Sequence, residues 1–131
     1  MERILLVEDD RIMRMAIGNI LNNNGYNVST AVDGREALAM VENDIYDLVI
    51  TDLMLPHANG LEVVNKLRCD RHNKDVGIIV MSSVGNEETI TEAFNLGADE
   101  YIRKPILSGV LITLIRKTIN DHHFSSSHQH N

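Results

Sequence analysis

Four short apolar runs recur along the chain, and each closes on polar side chains. Ile4-Leu5-Leu6-Val7 ends in Glu8, Asp9 and Asp10; Leu48-Val49-Ile50-Thr51 ends in Asp52. Gly77-Ile78-Ile79-Val80-Met81 ends in Ser82 and Ser83, and Tyr101-Ile102 leads to Lys104-Pro105. Nearly unbroken apolar runs of this length read as strands covered on both faces, which is the signature of a parallel sheet. In such sheets the site is built outside the carboxyl ends of the strands. Carboxylates, a hydroxyl and a lysine delivered to that one edge suit a divalent cation and a phosphoryl group.

Helical patterns alternate with the runs. Strand one spans Arg3–Val7, and Ile12, Met15, Ala16, Ile20 and Leu21 then keep helical spacing from about Arg11 to Asn22, stopped by Asn23-Asn24-Gly25. Strand two is Asn27–Ala31, followed by a helix capped by Asp33; strand three is Leu48–Thr51. The loop Met54–Asn59 leads into a helix carrying Leu61, Val64 and Leu67. Strand four is Ile78–Met81, its helix ends at Gly97, strand five is Tyr101–Ile102, and a last helix runs from about Leu107 to Ile119. Five such units predict a doubly wound α/β domain, a flavodoxin-like (βα)5 fold with strand order 2-1-3-4-5. That order makes strands one and three neighbours, so Asp9 and Asp52 share one crevice. The domain is expected over 1–120, with a polar, disordered tail over 121–131.

Bulk properties exclude several classes. The formal charge of −7 speaks against direct binding of nucleic acid, which requires a basic face. Cys69 is the only cysteine, so no internal disulfide forms, and it reads as a helix-end thiol without chemistry. The apolar start is too short for a signal peptide, and no stretch approaches the ~20 apolar residues of a membrane helix. A cytoplasmic protein away from membranes is expected.

Crowding Glu8, Asp9 and Asp52 is costly: two carboxylates ~4 Å apart repel by roughly 4 kcal/mol at an effective dielectric near 20. Lys104 offsets part of this, and Mg²⁺ or Mn²⁺ would offset more, since a hard cation takes oxygen ligands. No Gly-rich phosphate loop is present, so the phosphoryl group comes from outside. Asp52, single and central, is the nucleophile; Asp9 is the main metal ligand, Glu8 assists, and the Met54 backbone carbonyl supplies another oxygen. Lys104 and the Ser82 hydroxyl bind phosphoryl oxygens. Asp10 reads as a helix N-cap. His57 reads as a polar loop residue, and His122, His123, His128 and His130 as part of a solvated tail.

These segments resemble the receiver domain of two-component response regulators. The resemblance rests on Ile4–Asp10, Asp47–Pro56 with Gly60, Met81-Ser82-Ser83 and Gly97–Pro105, in order and at the expected spacing across about residues 2–120. It implies Mg²⁺-dependent phosphorylation of Asp52 by a sensor histidine kinase or a histidine phosphotransfer protein. It further implies that Ser82 and Tyr101 act as switch residues reshaping the face of helix four, strand five and helix five, and that Lys104-Pro105 is cis. Ile106 and Val76-Gly77 depart from the family pattern. The two positions that tune phosphate lifetime hold Met54 and Val84, neither able to orient water, so slow self-dephosphorylation is expected.

The last helix carries two stripes. Leu111, Ile115 and Ile119 should face the sheet. Leu107, Val110 and Leu114 form either the flank of a wide core-facing surface or a docking face for a downstream protein or a second copy. Alternative readings are a phosphorylation-independent pseudo-receiver and a phosphorelay intermediate. A dehalogenase-type hydrolase would want an aspartate where Met54 stands.

Overall fold

In a computed structural model, which describes residues 1–83 and 87–129 with 123–129 traced as backbone, strands and helices alternate along the chain. The elements are β1 (Arg3–Val7), α1 (Arg11–Asn23), β2 (Asn27–Ala31), α2 (Gly34–Asn43), β3 (Leu48–Asp52), α3 (Gly60–Cys69), β4 (Gly77–Ser82), α4 (Glu87–Leu96), β5 (Glu100–Arg103) and α5 (Ser108–Gln129). The strands are all parallel and lie in the order β2-β1-β3-β4-β5, as expected. This is the flavodoxin-like arrangement, and it sets the ends of β1 and β3 side by side.

Alternation of side chains across the pleat divides the apolar residues into two cores. Leu5, Val7, Val49, Ile78 and Val80 face one way and pack against α2, α3 and Ala93 of α4. Ile4, Leu6, Leu48, Ile50, Ile79 and Met81 face the other way, against Ile17 and Leu21 of α1 and Leu111, Ile115 and Ile119 of α5. Because both faces are covered, the central strands read in sequence as continuous apolar runs rather than alternating ones.

Helix starts follow local chemistry. Asp10 caps α1 through its side chain, which accepts from the N–H groups of Ile12 and Met13; Asp33 and Asn59 cap α2 and α3 in the same way. Gly25, at φ 85°, and Gly97, at φ 118°, take the left-handed turns that stop α1 and α4.

Element bounds differ from expectation at β3, β4 and α5. β3 and β4 each reach one residue further than the apolar run, because Asp52 pairs with Met81 and Ser82 with Arg103 in the ladder. α5 runs past Ile119 to Gln129, with no Gly or Pro to interrupt the Ser/His-rich segment. Leu114 is half-buried against the second core, whereas Leu107 and Val110 are 65% and 47% exposed. Leu114 thus packs beside the core while Leu107 and Val110 stay exposed on the same stripe. Among the described residues no helix is long and apolar enough to cross a membrane.

Candidate functional site

The carboxyl ends of β1, β3, β4 and β5 meet at one cleft. β1 delivers Glu8 and Asp9, β3 Asp52, β4 Ser82, and the turn after β5 Lys104. Glu8 is wholly buried, Asp52 and Ser82 are each 5% exposed, and Asp9 lies open to solvent. Carboxylate oxygens of Glu8, Asp9 and Asp52 all lie within 4.8 Å of one another. An all-oxygen donor set of this size, one arm open to water, fits a hard divalent cation.

Lys104 is the cation already present. Its Nζ donates to Glu8 Oε1 at 2.6 Å and also to Asp52 Oδ2. Burial alone would lower the proton affinity of this amine, but hydrogen bonds and attraction from Asp52 and Glu8 prevail and raise it. Burial is likewise the largest influence on Glu8 and raises it above the ordinary carboxylate value; Lys104 opposes that shift, and the Asp52 charge reinforces it. The remaining lone pairs are used as well. Glu8 Oε2 accepts from the Asp10 N–H at 3.3 Å, and Asp52 Oδ1 from the Met54 N–H at 2.9 Å.

Backbone contacts hold the cleft in register. Lys104 N–H donates to the Ser82 carbonyl at 2.9 Å, and Leu53 N–H to that of Met81 at 3.0 Å. The Lys104–Pro105 peptide is cis, as expected. Gly60 backs directly onto the end of β3: a Cβ there would fall 2.3 Å from the Asp52 carbonyl oxygen.

Two contributors escaped the sequence reading. Arg14, one turn into α1, donates through Nη1 to the carbonyls of Glu8 at 2.9 Å and Asp9 at 3.2 Å, tying down the acidic turn. A basic residue four positions after the N-cap was the available signal. The sequence points to the Met54 carbonyl; the structure adds its N–H, which donates to Asp52 Oδ1. Tyr101 is half-buried against the first core, and its hydroxyl finds no hydrogen-bond partner among the described residues. Val84, the other expected lifetime position, lies outside the described residues.

Comparison with known proteins matches residues 4–116 to the model of the response regulator receiver domain. The transcriptional regulatory protein CpxR of Klebsiella pneumoniae is 33% identical over 129 residues, covering 98% of this chain and 54% of that protein. The chain thus spans about half the length of the curated relatives it matches. A CheY-like receiver domain protein from Methanospirillum hungatei superposes with a TM-score of 0.91 at 30% identity, covering 95% of this chain and 98% of that one. The receiver domain of sensor histidine kinase PA1611 from Pseudomonas aeruginosa superposes at 0.84 with 26% identity, covering 91% and 98%.

Proposed function

The chain belongs to the response regulator receiver domain family, and from that premise we propose that Asp52 is its phosphoacceptor, charged by a phosphohistidine on a sensor histidine kinase or a histidine phosphotransfer protein. A carboxylate oxygen of Asp52 attacks phosphorus; the new O–P bond makes an acyl phosphate as the P–N bond breaks, and the donor imidazole leaves. Glu8, Asp9, Asp52 and the Met54 carbonyl would hold Mg²⁺ or Mn²⁺. Such an ion, when bound, supplies neutralisation of the phosphoryl oxygens. The related PA1611 receiver has a magnesium ion coordinated in its active-site cleft.

The chain's own residues do the positioning. The Met54 N–H fixes one Asp52 oxygen, which sets the direction of attack. Lys104 follows the charge from the Asp52 carboxylate to a phosphoryl oxygen, and the Ser82 hydroxyl donates to another. Ser82 and Tyr101 then report the modification to the surface around α4, β5 and α5. Exposed Leu107 and Val110, with half-buried Leu114 beside them, are the proposed contact for a downstream protein or a second copy. Its own phosphorylation at Asp52 and a slow self-dephosphorylation, not turnover of a separate substrate, are the only catalysis in this reading. CpxR is named a transcriptional regulator; this acidic chain is read as a cytoplasmic switch and not as a DNA-binding part.

The observation that carries the proposal is the convergence of Glu8, Asp9 and Asp52 with Lys104 bonded to two of them. Incubation with acetyl phosphate and Mg²⁺, followed by intact mass, tests it. Attack by Asp52 releases acetate and adds one phosphoryl group. The gain should vanish in Asp52→Asn and with chelator. A folded protein that gains nothing would favour a phosphorylation-independent pseudo-receiver.

A further inference from the structure

The amino end of the sheet, opposite the acidic cleft, holds a second cluster of charges that the proposed chemistry leaves unused. Asp99 stands in the turn before β5, and its Oδ2 receives three groups. The Ile78 N–H lies at 2.8 Å, Arg68 Nη2 at 3.1 Å and His122 Nε2 at 2.9 Å. Arg68 extends the network from α3: Nε and Nη2 donate to the Gly97 carbonyl at 3.0 and 2.8 Å, and Nη1 to the Lys74 and Val76 carbonyls at 3.0 and 2.5 Å. The end of α3, the start of β4 and the turn before β5 are thereby joined.

His122 is the link from this network to α5. The core-facing stripe of that helix runs Leu111, Ile115, Ile119, and the next position at helical spacing is a titratable ring instead of an aliphatic side chain. The ring lies against the start of β4, where a Cβ on Gly77 would meet its Cδ2 at 3.5 Å, an ordinary packing distance. Past Ile119, then, attachment of the helix among the described side chains passes from apolar burial to the polar contacts of His122.

We propose that His122 and Asp99 form a proton-controlled latch, which pins the last turns of α5 to the sheet when the imidazole is charged and lets them fray when it is neutral. The hydrogen bond to Asp99 is the strongest influence favouring the charged ring; burial and the Arg68 cation oppose it, while the Asp99 charge and the Asp75 backbone add to it. Lys74 and Asp75 of the loop before β4, and Asp121 on α5 itself, are exposed, and Thr118 is buried and neutral. The balance raises the ring's affinity above its ordinary 6.5. The contact is therefore at full strength below that pH and is lost as pH climbs through the raised value.

NMR of the 131-residue chain between pH 5.5 and 9 tests the latch. His122 should titrate above 6.5, and Cα shifts of residues 120–126 should lose their helical offset over the same pH interval. His122→Gln should abolish that pH-dependent change although the neighbouring histidine still titrates, and phosphorylation from acetyl phosphate should be unaltered. Asp99→Asn should bring the His122 titration down to 6.5 or below. Titration at or below 6.5 in the unmodified chain, or a pH-dependent change that persists in His122→Gln, overturns the proposal.

Discussion

Lys104 Nζ lies 2.6 Å from Oε1 of Glu8, a carboxylate with no exposure to solvent, while its other partner is Asp52. One cation thus serves two buried acids. Each acid is held by a backbone N–H besides, Glu8 by Asp10 and Asp52 by Met54.

Lys104→Met should expose that dependence. Removing one partner of a buried ion pair costs about 3–5 kcal/mol, because the charge left behind is uncompensated. Here two are left behind, so urea unfolding without metal should show a loss of at least that size. Millimolar Mg²⁺ should recover much of it, as a ligand present at about a hundred times its Kd contributes roughly 2.7 kcal/mol. Equal losses with and without Mg²⁺ would count against a metal at these carboxylates.

Glu8→Gln should act in the opposite sense. Lys104 gains from two carboxylates, whereas Glu8 is desolvated beside Asp52 with one amine to share, so the acid bears the cost. Its folded-state proton affinity is raised above 4.5; its contribution to stability is present below that pH and lost as pH rises through the folded value. At neutral pH the metal-free variant should be more stable by about 1 kcal/mol. Mn²⁺ binding followed by paramagnetic resonance should weaken about tenfold or more. A lower Tm than the parent at pH 7 would refute the burial argument.

Two helical glycines separate propensity from packing. At Gly18 of α1 a Cβ meets nothing within 4 Å, so Gly18→Ala should stabilise by the helix propensity alone, about 1 kcal/mol. At Gly34 of α2 the same atom would fall 1.7 Å from the Ala58 carbonyl oxygen in the loop before α3. Gly34→Ala should destabilise by about 1–3 kcal/mol despite the better propensity. Thermal unfolding of the pair checks both signs at once.

Met54 is 69% exposed two residues past Asp52 and has no group that orients water. Met54→Asn combined with Val84→Glu should speed loss of the phosphoryl group at least about tenfold, below the ~10²–10⁴ a well-placed general base contributes. An unchanged hydrolysis rate, followed by mass, would remove these positions from control of the phosphate lifetime.

The fold and most of the cleft were legible in the chain because one periodicity carries both. A strand buried on both faces is apolar along most of its length, so the polar residues that close each run mark the edge where the site is built. That rule finds Glu8, Asp9, Asp52 and Ser82 without coordinates. It is blind to contacts made across the fold, and Arg14 on the Glu8 and Asp9 carbonyls and His122 on Asp99 are of that kind. Helical spacing also cannot tell a docking stripe from the flank of a broad core-facing surface, so Leu114 is separated from Leu107 and Val110 only by packing. The continuation of α5 to Gln129 was missed because polar composition suggests disorder even where nothing breaks the helix.

The Tyr101 hydroxyl, buried with no partner among the described residues, has an energetic corollary. A polar group held in that condition forgoes about 1–3 kcal/mol that water would supply if the ring turned outward. An outward position within a few kcal/mol of the inward one would be populated on the order of 0.1–10%. An event that favours the outward form by about 5.5 kcal/mol would carry such a residue from 1:99 to 99:1. A covalent change at the cleft would have to supply several kcal/mol of that preference before most molecules present the other surface.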